Sequence, residues 1–125
     1  MKRVFVAASA FALCAGAAFA GDDDVMGGFY GNTIVSTGGM AEIHSHYAAN
    51  HTFELTGTMM GMSKTFKGTW TLDGKGNVCR TYVGELPRNA TNPQCSPIAA
   101  HKVGDTWTVT FNGKTRTLTV KPGIQ

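Results

Sequence analysis

Apolar residues alternate with polar ones, many of them threonine, along most of the chain after its first twenty residues. Turn signals interrupt this alternation about every eight to twelve residues. Successive side chains of a β-strand point to opposite faces, so the pattern predicts short strands that each bury one face. No stretch shows the helical period over a useful length. The chain is therefore expected to be all-β.

The clearest element is a hairpin near the C-terminus. Asn112-Gly113 supplies the two positive-φ residues of a tight turn between two alternating segments, 106–111 and 114–120. A two-residue loop at this point places Trp107 opposite Leu118. The apolar side chains of this hairpin then share one face, and its threonines face water.

The rest of the chain is interpreted in the same way, with Gly- or Asx-containing turns between strands. The predicted strands are 29–36, 41–47, 52–60, 64–72, 77–83, 95–101, 106–111 and 114–120. One open sheet of eight strands would expose two edges, and closure removes them. We therefore predict a small eight-stranded antiparallel up-and-down barrel.

The inward faces of these strands carry the large apolar residues. The predicted interior consists of Ile43, Tyr47, Phe53, Leu55, Phe66, Trp70, Leu72, Trp107, Val109 and Leu118. A barrel this narrow is filled by its own side chains or holds one small apolar ligand. Alternation is the same in both cases, so the pattern leaves both open.

Residues 1–20 have the features of a secretory signal peptide. A basic start, Met1-Lys2-Arg3, precedes an apolar run and the small-x-small site Ala18-Phe19-Ala20. The apolar run is shorter than the roughly 20 residues of a spanning helix. The predicted organisation is a signal peptide over 1–20, which takes Cys14 with it, and one domain over 21–125. The processed protein is expected to be periplasmic or secreted, without a membrane span.

Charge argues against a nucleic-acid partner. The chain has 11 Lys and Arg against 8 Asp and Glu, and two of the basic residues, Lys2 and Arg3, leave with the leader. The remaining basic residues are scattered, without the basic run that follows a phosphate backbone.

Two cysteines, Cys79 and Cys95, stay in the processed chain. An even number of cysteines in an exported protein predicts a disulfide. The alternative, a redox-active pair, favours the much closer Cys-x-x-Cys spacing. The predicted bridge encloses the long connection 84–94, which contains Pro87 and Pro93, and would hold it in place.

The densest group of potential metal ligands lies on two neighbouring predicted strands. His44 and His46 share one face, and a turn centred on Asn50 places His46 opposite Glu54. These side chains are a possible first shell for zinc or copper. The alternative is an ordinary solvated strand surface.

Three methionines near the far end of the same hairpin offer a second, softer ligand set. Met59, Met60 and Met62 could bind cuprous copper, or Met59 could simply fill the core.

The sequence contains no catalytic constellation. Nucleophilic catalysis needs a nucleophile beside a base that a third group orients. Ser45 stands between His44 and His46 in the chain, but alternation sends it to the opposite face. We therefore expect a protein that is not an enzyme and has no cofactor, a zinc or copper ion apart.

Several short motifs resemble a known group of proteins. They are Gly31-Asn32-Thr33, Thr52-Phe53, Gly68-Thr69-Trp70, Asp73-Gly74-x-Gly76-Asn77-x-Cys79, the later Cys95 and the Trp107 hairpin. Together they resemble the small secreted lipocalin-like domains of proteobacteria, most of which have no assigned function. The chain is also similar in size, export and single disulfide to the periplasmic metalloprotease inhibitors. Those barrels insert an extended N-terminus into a protease cleft, a role that residues 21–28 would take here.

These observations together predict an exported, non-enzymatic binding domain. Its partner is either a small apolar ligand held in the barrel mouth or a protein that contacts the connection 84–94. The alternatives are a zinc- or copper-binding protein that uses His44, His46 and Glu54, and a barrel that acts like a protease inhibitor.

Overall fold

A computed structural model describes residues 21–111 and 113–125. The predicted leader, with Cys14, and Asn112 of the predicted turn lie outside the described residues. The eight strands are β1 (Thr33–Thr37), β2 (Glu42–Tyr47), β3 (Thr52–Met59), β4 (Met62–Leu72), β5 (Asn77–Val83), β6 (Gln94–Pro97), β7 (Thr106–Phe111) and β8 (Lys114–Lys121).

All neighbouring strands pair antiparallel, in the order β6-β5-β4-β3-β2-β1-β8-β7. The sheet curves into a nearly closed barrel, which confirms the predicted fold class. The one seam in the described part of the barrel lies between β6 and β7.

The edge at β6 is protected in two ways. Pro97 ends the strand, and a proline cannot donate a hydrogen bond to a further strand. Beyond the strand's other end, the side chain of Asn92 takes the place of a pairing partner for Tyr82 of β5. Its Oδ1 accepts a hydrogen bond from the Tyr82 amide at 2.9 Å, and its Nδ2 donates to the Tyr82 carbonyl at 3.2 Å. Both features limit the pairing of this edge with another chain.

The predicted registers are confirmed at both hairpins that the sequence resolved. Trp107 lies opposite Leu118, and His46 lies opposite Glu54. Because a shift by one residue would exchange the two faces, these registers fix which side chains point into the barrel.

The N-terminal part differs from the prediction. The predicted strand 29–36 begins only at Thr33, because residues 21–26 are helical and Gly27–Phe29 form a 3-10 turn. Met26 and Phe29 are three residues apart, which puts both on one side of a helical turn, and they are 0% and 1% exposed. Burial of these two side chains stabilises the helical form. The segment thus closes one end of the barrel and is not extended.

A second difference concerns the strand predicted at 95–101, which ends at Pro97. Proline has no amide hydrogen and interrupts the ladder there. Residues 98–105 instead form an irregular connection that crosses the closed end. There the carbonyl of His101 approaches Gly28 so closely that a Cβ on Gly28 would lie 1.9 Å from its oxygen.

The core fills the closed end of the barrel. Trp70 is its centre, fully buried, with Nε1 donating to the carbonyl of Ala48 at 3.0 Å and His51 stacked on its ring at 4.2 Å. The other buried members are Met26, Phe29, Ile34, Tyr47, Phe53, Val78, Tyr82 and Val120. Burial of large aromatic and aliphatic side chains supplies most of the driving force for folding.

Gly68 allows the sheet to bend sharply beside this core. A Cβ at this position would lie 1.9 Å from the carbonyl oxygen of Thr81 on β5. Phe53 and Tyr82, the cross-strand neighbours of Gly68, meet edge to face with ring centroids 5.3 Å apart. The two rings pack where the glycine leaves room.

We therefore expect Gly68→Ala to lower the free energy of unfolding by about 1–3 kcal/mol, because the backbone of β5 must move away. Gly57→Ala is the matched control. Gly57 lies on β3, and an added Cβ there would meet nothing within 4 Å. Urea unfolding followed by circular dichroism measures both. Equal midpoints for the two variants would contradict the close approach at Gly68.

Candidate functional site

The opposite end of the barrel is hollow. A partly enclosed cavity of about 340 Å³ is lined by residues of seven strands, all except β4, and by Pro87, Arg88 and Ala90 of the connection between β5 and β6. Because the strands run up and down, this end also carries the connections 38–41 and 60–61. The volume lies within the range of about 300–1,000 Å³ that is typical of ligand pockets.

The size of the inward side chains explains the hollow. At the closed end they are the large Phe53 and Trp70, whereas Ser36 and Ser45 occupy inward positions that line the cavity. Small side chains leave space that no neighbour fills. The apolar part of the cavity wall is formed by Ile43, Leu55, Val109 and Leu118.

The inner wall also bears a largely buried arginine. Arg80 of β5 points inward between Val78 and Tyr82. Its Nη1 donates to the hydroxyl of Tyr47 at 2.9 Å, and its Nη2 lies 3.4 Å from Oε1 of Gln94. Its Nε is shielded from solvent and has no hydrogen-bond partner among the described residues.

Burial alone would lower the pKa of Arg80, but the neighbouring Tyr47 and Tyr82 oxygens more than offset it and the pKa is raised. The guanidinium therefore stays positively charged. The hydroxyl of Tyr82 also donates to Oε1 of Gln94 at 2.7 Å, so the partners of this cation form one small neutral network.

Two further arginines line the cavity. Arg116 of β8 donates from Nε to Oγ of Ser36 at 2.6 Å and from Nη2 to the carbonyl of Ala41 at 2.7 Å. Burial lowers its pKa, although an arginine stays charged at any physiological pH. Arg88, on the connection between β5 and β6, also lines the cavity. The described cavity wall contains no aspartate or glutamate.

The predicted metal ligands lie on the outer face of the barrel, away from the cavity. His46 is opposite Glu54, as predicted, but Nε2 of His44 pairs with Oε2 of Glu42 at 2.7 Å. The C-terminal residues fold over this face, and the carbonyl of Gln125 lies 3.4 Å from Nδ1 of His44. The surface is thus partly covered, and Nε2 of His46 is buried without a partner among the described residues.

The structure brings two of these three side chains together. In residues 21–111 and 113–125, no group of three or more His, Cys, Asp or Glu side chains is placed to hold a metal ion. The zinc or copper site at His44, His46 and Glu54 stays a prediction.

The methionines lie at the tip of the β3–β4 hairpin, at the cavity end. Met60 and Gly61 form its turn with φ angles of 54° and 78°, so the strand ends one residue before the predicted position. Met60 and Met62 are 91% and 77% exposed, and Met40 in the connection 38–41 is 85% exposed. The cavity end therefore presents exposed apolar side chains.

The disulfide holds the wall of the cavity. Cys79 of β5 and Cys95 of β6 are bridged and lie directly opposite each other in the sheet, which confirms the predicted pair. Both cysteines point outward, while Gln94 and Ser96 of the same short strand point into the cavity. The bridge thereby fixes a strand of only four residues at the seam.

The arginines are not among the site residues predicted from the sequence, although the sequence contains a signal for them. Arg80 alternates with Val78 and Tyr82, and Arg116 stands two positions before Leu118. Strict alternation places both on the inward face. A charged residue at an inward position of a strand is the feature that marks this site.

No helical segment in the described ranges has the length and hydrophobicity needed to cross a bilayer. The similarity to small lipocalin-like domains stays a prediction. Comparison of the chain with protein-family models, with curated proteins and with solved structures finds no match.

Proposed function

We propose that this protein is an exported binding domain that holds one small molecule in the hollow end of its barrel. The observation that carries the proposal is the division of the interior into a packed end and a cavity of about 340 Å³. The apolar wall formed by Ile43, Leu55, Val109 and Leu118 gives a ligand an environment that excludes water.

Several features support an exported, lipocalin-like protein. The first twenty residues have the pattern of a signal peptide, and the Cys79–Cys95 bridge is typical of an oxidising compartment. The arrangement of a closed end and an open, loop-bearing end suits a barrel that takes up a ligand from one side. We infer a periplasmic or secreted location.

The geometry favours a small ligand over the two alternatives that involve proteins. An inhibitor-like insertion requires an extended N-terminal segment, whereas Met26 and Phe29 anchor this segment in the core. The connection between β5 and β6 contributes Pro87 and Ala90 to the cavity wall, which gives it a role in enclosing a ligand.

The proposal is tested with the neutral fluorescent probe N-phenyl-1-naphthylamine, titrated into protein expressed from the full-length chain. We expect saturable binding with enhanced fluorescence. Ser45→Phe places a ring in the cavity and is expected to weaken probe binding by about tenfold or more, an effect of about 1.4 kcal/mol. Thr65→Phe, on the exposed outer face of β4, is the control and should bind as the parent does.

Thermal unfolding of the same variants shows whether the cavity exists. Ser45→Phe is expected to unfold within a few degrees of the parent, because the ring enters empty space. If the interior were packed, the ring would overfill it and lower the free energy of unfolding by about 1–3 kcal/mol. Strong destabilisation by Ser45→Phe, or a parent that does not bind the probe, would contradict the proposed function.

A further inference from the structure

The charges of the cavity wall narrow the class of ligand, an inference that rests on the proposed function. Arg80 is a cation inside the barrel whose hydrogen-bond partners, Tyr47 and Gln94, are both neutral. Its Nε, shielded from solvent, has no partner among the described residues. A buried charge is normally paired, because removal from water is costly unless an opposite charge compensates it.

The described residues offer no such compensation. Their ion pairs are His44 with Glu42, His51 with Asp22, Lys64 with Glu85 and His101 with Asp105, and none includes an arginine. Arg88 and Arg116 line the same cavity as Arg80. Arg80 and Arg116 are partly buried and Arg88 is exposed at the border of the cavity, so the guanidinium groups give this end of the barrel a positive potential that a neutral ligand would leave uncompensated.

One part of the remaining wall is apolar. Ile43, Leu55, Val109 and Leu118 face the same space as the arginines. A ligand that satisfies both parts of the wall has an apolar body and one negatively charged head group, because charge-assisted hydrogen bonds to arginine are stronger than neutral ones. A simple inorganic anion would leave the apolar wall uncovered.

We propose that the cavity binds a small amphipathic anion, whose head group is held by Arg80 and whose apolar body lies against Leu55 and Leu118. Arg88 and Arg116 add to the positive potential that attracts the anion. Arg116 is also tied to Ser36 and to the backbone at Ala41, and Arg88 is exposed, whereas Arg80 keeps a shielded nitrogen, Nε, without a partner among the described residues.

The test compares decanoate with its uncharged methyl ester, each displacing N-phenyl-1-naphthylamine from the protein. Decanoate is expected to bind about tenfold or more tightly than methyl decanoate. A parallel titration with decyl sulfate shows whether the site accepts a sulfate head group as well as a carboxylate. Equal affinities for all three compounds would overturn the proposal while leaving the proposed function in place.

Arg80→Met removes the charge and keeps an unbranched side chain of adequate length. It is expected to abolish the preference for decanoate over the ester, and the affinity for the neutral probe is measured beside it. Lys67→Met, on the exposed outer face of β4, is the control for loss of one positive charge and should keep the preference. Arg80→Lys keeps the charge and should retain part of the preference for decanoate.

The outcomes separate a binding role from a structural one. If Arg80 only held the fold together, Arg80→Met would weaken the binding of the neutral probe, decanoate and methyl decanoate alike. The ratio of the affinities for decanoate and its ester would then not change. That result would overturn the proposal. If the parent protein binds none of the compounds, both the proposal and the proposed function fail.

Discussion

Replacing Trp70 with alanine is expected to lower the free energy of unfolding by about 3–5 kcal/mol, the largest effect of any single substitution considered for this chain. Trp70 is fully buried at the closed end, and Tyr47 meets its ring edge-on with centroids 6.3 Å apart. Its indole also supplies a hydrogen bond to the Ala48 carbonyl. Alanine would leave a large cavity and remove one of the two hydrogen bonds that the Ala48 carbonyl accepts, the other coming from the amide of His51.

For a domain of this size, such a loss lowers the melting temperature by about 15 °C or more. Trp107→Ala is the matched control. Trp107 is only partly buried, and His101 covers its ring at 3.5 Å from centroid to centroid. Trp107→Ala should therefore lower the free energy of unfolding by clearly less than Trp70→Ala. Melting curves followed by circular dichroism measure both variants, and a smaller effect at Trp70 than at Trp107 would show that the core lies elsewhere.

Removal of the disulfide is the second large effect. The double variant Cys79→Ala, Cys95→Ala is expected to lose about 3 kcal/mol of stability, because the unfolded chain is no longer constrained over the 16-residue separation. The four-residue strand β6 would then be held at the seam only by its hydrogen bonds to β5. We expect weaker binding of N-phenyl-1-naphthylamine as well, because Gln94 and Ser96 of this strand line the cavity.

Reduction of the parent protein by dithiothreitol is the control for this variant. Reduced parent and double variant should unfold at the same urea concentration, below that of the oxidised parent. If the oxidised parent and the double variant unfold together, the bridge does not stabilise the fold. If stability falls but probe binding is unchanged, β6 does not depend on the bridge for its place in the cavity wall.

The fold was predictable because its determinants are local. Alternation along each strand fixes which residues face inward, and the Asn112-Gly113 signal sets the register that pairs Trp107 with Leu118. The helical segment at 21–26 was missed because it is short. Its burial rests on Val25 and Met26, with Phe29 of the 3-10 turn that follows, and so few apolar residues do not make a detectable helical period.

The candidate site was less predictable, because it depends on how side chains from several strands fill a shared space. Alternation is the same in a filled and in a hollow barrel, and only the sizes of side chains on different strands distinguish them. Ser36 and Ser45 line the cavity, while the large Phe53 and Trp70 are buried at the other end. The conspicuous His44 drew attention to the outer face, where it pairs with a neighbour.

A crystal structure of the protein grown with decanoate tests most directly whether the hollow end of the barrel is a binding site. We expect one ligand molecule inside the barrel, with its chain against Leu55 and Leu118 and its carboxylate within hydrogen-bond distance of Arg80. A barrel whose interior is filled by its own side chains, or a ligand bound only on the outer surface, would contradict a binding site in the barrel.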